Sequence, residues 1–163
     1  MVDSPYGVPY PGKWALWRGG WYEARTYSDD EKLMLLSHEG AEAPGPGWEE
    51  NAESSPAGRR FTRTVPFAEL EAYEEFIVKA QWHGYEFGLM RIGADGRATG
   101  WAGEPDGRSL SGGRLVGLLD RSGHWHGQAE RDSVEAIVPA AELTDFRLVR
   151  HRDLAAALRK AGW

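Results

Sequence analysis

Apolar and polar positions alternate along much of the chain. Tyr22, Ala24 and Thr26 alternate with Glu23, Arg25 and Tyr27, and Tyr85, Phe87 and Leu89 alternate with Glu86, Gly88 and Met90. That period of two predicts strands with one buried face. Ser28 to Glu31 supplies a turn before the apolar run Leu33 to Leu36, and Gly93 to Gly96 supplies one before Arg97 to Ala102, so two hairpins are predicted. A further strand is expected at Arg60 to Val65 and at His124 to Ala129. Each is followed by a tight turn or one turn of 3₁₀ helix, at Pro66 to Leu70 and Glu130 to Val134, and then by a strand through Ala72 to Val78 and Ala136 to Val138. Tyr6 to Gly12, carrying Pro9 and Pro11 just after Pro5, reads as an extended lead-in. Asp153 to Ala161 fits a helix: Asp153 is a candidate N-cap, Leu154 and Leu158 lie one turn apart, and Gly162 ends it.

The pattern occurs twice. A shift of 65 places Ala15 and Trp17 on Ala80 and Trp82, Gly19 on Gly84, Tyr22 on Phe87, and Asp30 and Lys32 on Asp95 and Arg97. A shift of 64 places Phe61 on Trp125, Val65 on Ala129, Leu70 on Val134, Glu71 on Glu135, Ala72 on Ala136 and Tyr73 on Ile137. The expectation is a tandem duplication, with a first unit at 13–79, a second at 80–150 and a C-terminal helix at 151–163. Short strands with a long excursion between hairpin and third strand describe a mainly β fold of two SH3-like small barrels. A unit of that size buries only about 60% of its unfolded surface and is marginal alone. The segment Phe76 to Trp82, without Gly, Pro or Ser, is expected to be a strand shared by both units.

Composition narrows the function. The 163 residues include no cysteine, which excludes disulfides, Cys-ligated zinc and thiol nucleophiles. No run reaches the roughly 18 apolar residues of a membrane helix, and the N-terminus lacks a basic flank and hydrophobic run, so a soluble cytoplasmic protein without membrane association is expected. A net charge of −6 disfavours nucleic acid as a partner and suits a basic one. The first excursion, His38 to Gly58, holds Glu39, Glu42, Glu49, Glu50 and Glu53 with no Lys or Arg, beside Pro44, Pro46 and Trp48. A loop of this length is either functional or simply unstructured. The second excursion, Gly103 to Gly113, reads as ordinary turn chemistry.

Catalytic and cofactor signatures are weak. His124 and His126 share a strand face, but two imidazoles do not make a metal site, and His38, His83 and His151 are scattered. Glu69 and Glu71 could serve acid–base chemistry, yet the alignment of Glu71 with Glu135 points to a structural role. Ser111 and Ser122 lack a nucleophile elbow, and no glycine loop suited to phosphate is found. Arg147, Arg150, Arg152, Arg159 and Lys160 form the one basic cluster and read as solvated. No enzyme activity, metal or cofactor is therefore expected.

The repeated order Trp-x-Gly-x-x-Tyr/Phe, hairpin, acidic loop, aromatic-x-x-x-Val/Ala and Glu-containing turn is carried by Trp17 to Tyr22 with Phe61 to Glu71, and by Trp82 to Phe87 with Trp125 to Glu135. It resembles actinobacterial immunity proteins encoded beside secreted polymorphic toxins, in particular those directed at toxins that attack NAD or nucleic acids. The resemblance implies no catalysis, no cofactor and a single cognate toxin as partner. An acidic inhibitor would be steered to the basic cleft of such a toxin, and large aromatics would anchor it. The candidate partner-binding residues are Glu39, Glu42, Trp48, Glu49, Glu50, Glu53 and Trp101, while Trp17, Trp82 and Trp125 are expected to be structural. Trp101 aligns with Leu36, which also suits a core position. Two other classes stay open: a peptide-binding or regulatory module with a groove in each unit, and a ligand-binding barrel with a pocket near His124 and His126. The oligomeric state is undetermined by the sequence.

Overall fold

The computed structural model describes residues 3–55, 58–104 and 113–163, with the backbone alone at 52–55. The fold is mainly β. In chain order the elements are β1 (Gly12–Trp17), β2 (Gly20–Ser28), β3 (Leu33–Gly40), β4 (Glu49–Ser55), β5 (Gly58–Pro66), a 3₁₀ turn (Phe67–Glu69), β6 (Ala72–Trp82), β7 (Tyr85–Ile92) and β8 (Arg97–Gly103). They continue with α1 (Arg114–Ser122), β9 (Trp125–Ala129), β10 (Ser133–Pro139), a second 3₁₀ turn (Ala140–Glu142), β11 (Leu143–Asp153) and α2 (Leu154–Lys160). The pairings β1–β2, β1–β6, β2–β3, β3–β5, β4–β5, β6–β7, β7–β8, β8–β10 and β9–β10 are antiparallel. No helix among the described residues is long and apolar enough to cross a membrane.

Two compact units emerge. The first comprises Gly12–Phe76 with His151–Trp163, and the second Asp3–Pro11 with Ile77–Arg150. In the first, strands are ordered β4-β5-β3-β2-β1-β6; in the second, β9-β10-β8-β7-β6, with β11 also pairing β6. β6 is one unbroken strand: residues 72–76 pair β1 and residues 78–82 pair β7.

Local chemistry explains both N-terminal hairpins. Trp17 pairs with Gly20 across Arg18 (φ 49°) and Gly19 (φ 78°), and Trp82 pairs with Tyr85 across His83 (φ 48°) and Gly84 (φ 82°). Two consecutive positive φ values match the twist of the flanking strands, and glycine takes the second at no steric cost. The hairpins predicted at Tyr22 to Leu36 and Tyr85 to Ala102 are present as β2–β3 and β7–β8.

The first core packs Ala15, Trp17, Met34, Leu36, Val65, Phe67, Leu70 and Tyr73 with Ala155 of α2, while Leu154, Leu158 and Trp163 lie against it. Asp153 caps α2 by accepting from Ala156 N at 2.9 Å. In the second unit Val78, Ala80, Trp82, Phe87, Leu89, Leu115, Leu119, Val134 and Val138 are buried.

Several expectations need correction. The excursion His38 to Gly58 contains strand β4, so the first unit has more strands than the sequence pattern indicated. Of the second excursion, 105–112 lies outside the described residues, and helix α1 follows it. Gly117 in its middle costs about 1 kcal/mol, but burial of Leu115 and Leu119 is worth roughly 2 kcal/mol each and wins. His124 to Ala129 is not the counterpart of Arg60 to Val65. Ala24 pairs with Leu36 and Leu36 with Arg63, as Leu89 pairs with Gly100 and Gly100 with Ala136. β10 therefore stands where β5 does, and Val138 where Val65 does. Accordingly the 3₁₀ turn is at Ala140–Glu142, not Glu130 to Val134, and Glu71 does not correspond to Glu135. Tyr6 to Gly12 is not extended: Asp3 bridges Pro9 in a folded-back segment, and Tyr6 stacks on Phe146 at 4.6 Å.

Candidate functional site

Each unit holds a tryptophan against a glutamate presented by its 3₁₀ turn. Trp17 Nε1 donates to Glu69 Oε2 at 3.0 Å, Arg18 Nη2 lies 4.0 Å from the same oxygen, and Gly19 N donates to Glu71 Oε1 at 2.9 Å. The guanidinium carbons of Arg18 and Arg63 stand 4.4 and 4.8 Å from the Trp17 ring centroid, within cation–π range.

In the second unit Trp82, His83 and Glu142 take the positions of Trp17, Arg18 and Glu69. His83 Nε2 donates to Glu142 Oε1 at 3.1 Å, and His124 Nε2 lies 2.9 Å from Oε2. Burial pushes the Glu142 carboxyl up, but hydrogen bonds from His83 and His124, with the charge of His124, outweigh it and hold the pKa below its ordinary value. The Trp82 indole adds to that lowering, although Nε1 is buried without a partner in hydrogen-bond geometry.

The acidic excursion of the first unit is tied down. Trp48 is half-buried, with its ring 4.9 Å from Tyr22, 6.4 Å from His38 and 6.5 Å from Trp17. Arg63 donates to the Pro46 carbonyl, and a Cβ on Gly47 (φ 83°) would collide with the Arg63 guanidinium. Arg59 grips Glu50 through Nε–Oε1 at 2.7 Å and Nη2–Oε2 at 2.6 Å, and reaches the Ala41 carbonyl at 3.2 Å. This hydrogen-bonded pairing, with Coulomb attraction, lowers the Glu50 pKa and raises that of Arg59. Glu39 stands opposite Arg60 in the β3–β5 ladder, and Arg60 lies 3.6 Å from Glu23.

The candidate residues thus divide. Trp48 is half-buried, with part of its ring packed on Tyr22, His38 and Trp17 and part exposed. Glu50 is ion-paired, while Glu42 and Glu49 are exposed, Glu49 opposite Thr62 on β4. Glu53 lies in β4, where only the backbone is described. Trp101 is half-buried in β8 of the second unit, opposite Glu135 and Gly88. Its counterpart by register is Ser37, not Leu36, and the one-residue shift puts it on the other face of the sheet from Ala102. Trp125, expected to be structural, is 47% exposed. His124 and His126 do not converge: the first faces Glu142 and the second Asp120 at 2.6 Å. Among the described residues no group of three or more His, Asp or Glu is arranged to hold a metal. Of the basic cluster, Arg147 pairs with Glu86 at 2.9 Å and Arg152 with Glu75 at 3.1 Å.

Sequence reasoning missed Arg59 and Arg63, which lie outside the acidic stretch they hold, and the Glu69–Glu142 correspondence. The signal for the latter is Val65-Pro-Phe-Ala-Glu-Leu70 against Val138-Pro-Ala-Ala-Glu-Leu143, offset by 73 and concealed by extra residues around α1. No family model matches the chain, and searches of curated proteins and of solved structures return no match either.

Proposed function

We propose that the chain is an immunity protein, a non-enzymatic antitoxin that needs no cofactor, binds a cognate secreted toxin acting on NAD or nucleic acid, and occludes its active site. The observation that carries this reading is the acidic strand β4, which ends the strand order of the first unit and bears exposed Glu49; Glu42, earlier in the same excursion, is exposed as well. A terminal strand offers unpaired backbone groups on one side, and a basic protein segment can add to it with charge complementarity. Trp48, Arg63 and Arg59 set the geometry of this edge, and the rigid presentation lowers the ordering cost of binding. We also read the two units as SH3-like modules descended from one duplicated ancestor. The shared strand order, the paired positive-φ hairpins and the repeated Val-Pro-x-Ala-Glu-Leu support that reading.

A tandem peptide-binding module is the alternative, and it requires a similar aromatic groove in each unit. Trp17 and Tyr22 recur as Trp82 and Phe87, but His38 falls at Ala102 by register, which favours the one-partner reading.

The test is co-expression with the toxin-like product of the adjacent open reading frame. Rescue of growth and co-elution of the purified pair are expected, and Glu42→Lys with Glu49→Lys should slow association on the order of tenfold, with weaker salt dependence. Lack of both rescue and co-elution, or turnover of a small molecule by the isolated chain, overturns the proposal.

A further inference from the structure

β11 is 11 residues long and pairs with β6; among the described strands it has no second neighbour. From Arg147 to Asp153 every residue is exposed, including two adjacent apolar side chains, Leu148 at 41% and Val149 at 51%. A long edge of this kind is an invitation to strand pairing unless bent, shortened or covered. The one irregularity, Asp145 at φ 51°, lies near its beginning and leaves the remainder regular.

We infer that two copies of the chain associate through β11, antiparallel and about a two-fold axis at Leu148. Among two-fold registers centred within the exposed run Arg147 to Asp153, the charge order along the strand selects this one, and with it a second copy as the occupant. Centring on Leu148 places Asp145 opposite His151, Thr144 opposite Arg152, Phe146 opposite Arg150 and Arg147 opposite Val149, with no like charges facing. Centring on Val149 sets Asp145 against Asp153 and Arg147 against His151, and centring on Arg150 sets that arginine against itself. The favoured register also brings the exposed Leu148 side chains together. A two-fold pairing closes on itself, whereas β11 against the acidic β4 edge of another copy would be heterologous and could propagate into chains.

The absence of cysteine makes a direct test available. Residues opposite one another in an antiparallel pair have Cα atoms about 4.5–5.5 Å apart, within disulfide reach. Leu148→Cys lies on the axis. Arg150→Cys lies opposite position 146, so its two copies are separated by four residues, about 13 Å, and cannot bridge. The unsubstituted chain is expected to run as a dimer by size exclusion with light scattering at high micromolar concentration. Mild oxidation should convert Leu148→Cys to a covalent dimer and leave Arg150→Cys uncross-linked, and Leu148→Lys should be monomeric with an unchanged circular dichroism spectrum. A monomer throughout the concentration range, equal cross-linking of the two cysteine variants, preferential cross-linking of Glu49→Cys on β4, or species larger than a dimer each overturn the inference. None of these readouts depends on a toxin partner.

Discussion

Leu36 fills the interior of the first unit and Tyr22 lies half-buried against Trp48, whereas the second unit carries Gly100 and the fully buried Phe87 at the same two positions. A Cβ on Gly100 would strike the Gly88 carbonyl and come within 2.6 Å of the Phe87 ring. The exchange recurs at the 3₁₀ turns. Phe67 is buried and meets Trp163 edge-on at 5.6 Å, while Ala140 stands in its place in the second unit. The backbone is held alike in both: Phe67 N donates to Lys32 O at 2.9 Å and Ala140 N to Gly96 O at 2.8 Å. Main-chain hydrogen bonds define the frame, and side-chain volume can be redistributed inside it provided that the interior stays filled.

Substitutions in the two interiors are the most direct way to break this comparison. Phe87→Ala should cost about 4 kcal/mol and Leu36→Ala about 3 kcal/mol, since both open cavities. Gly100→Ala should cost about 2 kcal/mol by overpacking against backbone that cannot swing away. Urea denaturation ranks the three, and a neutral Gly100→Ala would mean that the second interior is looser than the contacts indicate.

Titration sharpens the contrast next. Burial, and then the nearby charge of Glu75, push the Tyr73 hydroxyl up to about 12, and the offset of 73 that matches Val65 to Leu70 with Val138 to Leu143 sets Phe146 against Tyr73. A raised folded pKa means a contribution complete below the unfolded value of about 10 and lost as the pH climbs toward 12. Stability should therefore fall over that alkaline window, and Tyr73→Phe should remove the phenolic part of the decline. Glu142 behaves in the opposite sense. Its lowered folded pKa gives a contribution present above the ordinary carboxylate value and lost as the pH drops through the folded one. Acid unfolding of the unsubstituted chain should be steeper than that of Glu142→Gln below about pH 4.5. Identical slopes would show that the His83 and His124 contacts do not survive in solution. The smallest effect is expected at Arg59→Ala, because exposed ion pairs contribute little. Its melting temperature should stay within experimental scatter of the unsubstituted chain, and a drop of several degrees would show that the Arg59–Glu50 pair matters more than its exposure indicates.

Much of the β architecture was legible because strand alternation and turn chemistry are local. The β2–β3 and β7–β8 hairpins, the strand through Phe76 to Trp82 and the Asp153 cap of α2 each depend on neighbours a few residues away. Long-range correspondence was less accessible. By strand register the block after α1 lies at an offset of 73; aligning it at 64 put Glu135 on Glu71, and the offset of 65 put Trp101 on Leu36 where the pairing gives Ser37. The acidic stretch was visible as a charge pattern, but its arginine partners come from β5, which lies beyond it in sequence.

The chain by itself determined where strands run, where they turn and which face of most of them is apolar, since periodicity and positive-φ glycines act over short distances. Only the tertiary structure decided that Trp48 is packed, that Glu50 is neutralised by Arg59 while Glu42 and Glu49 remain exposed, and that β4 and β11 lie at ends of the pairing order. Those properties depend on which distant strands become neighbours, and hydrogen-bond registry, not composition, selects them.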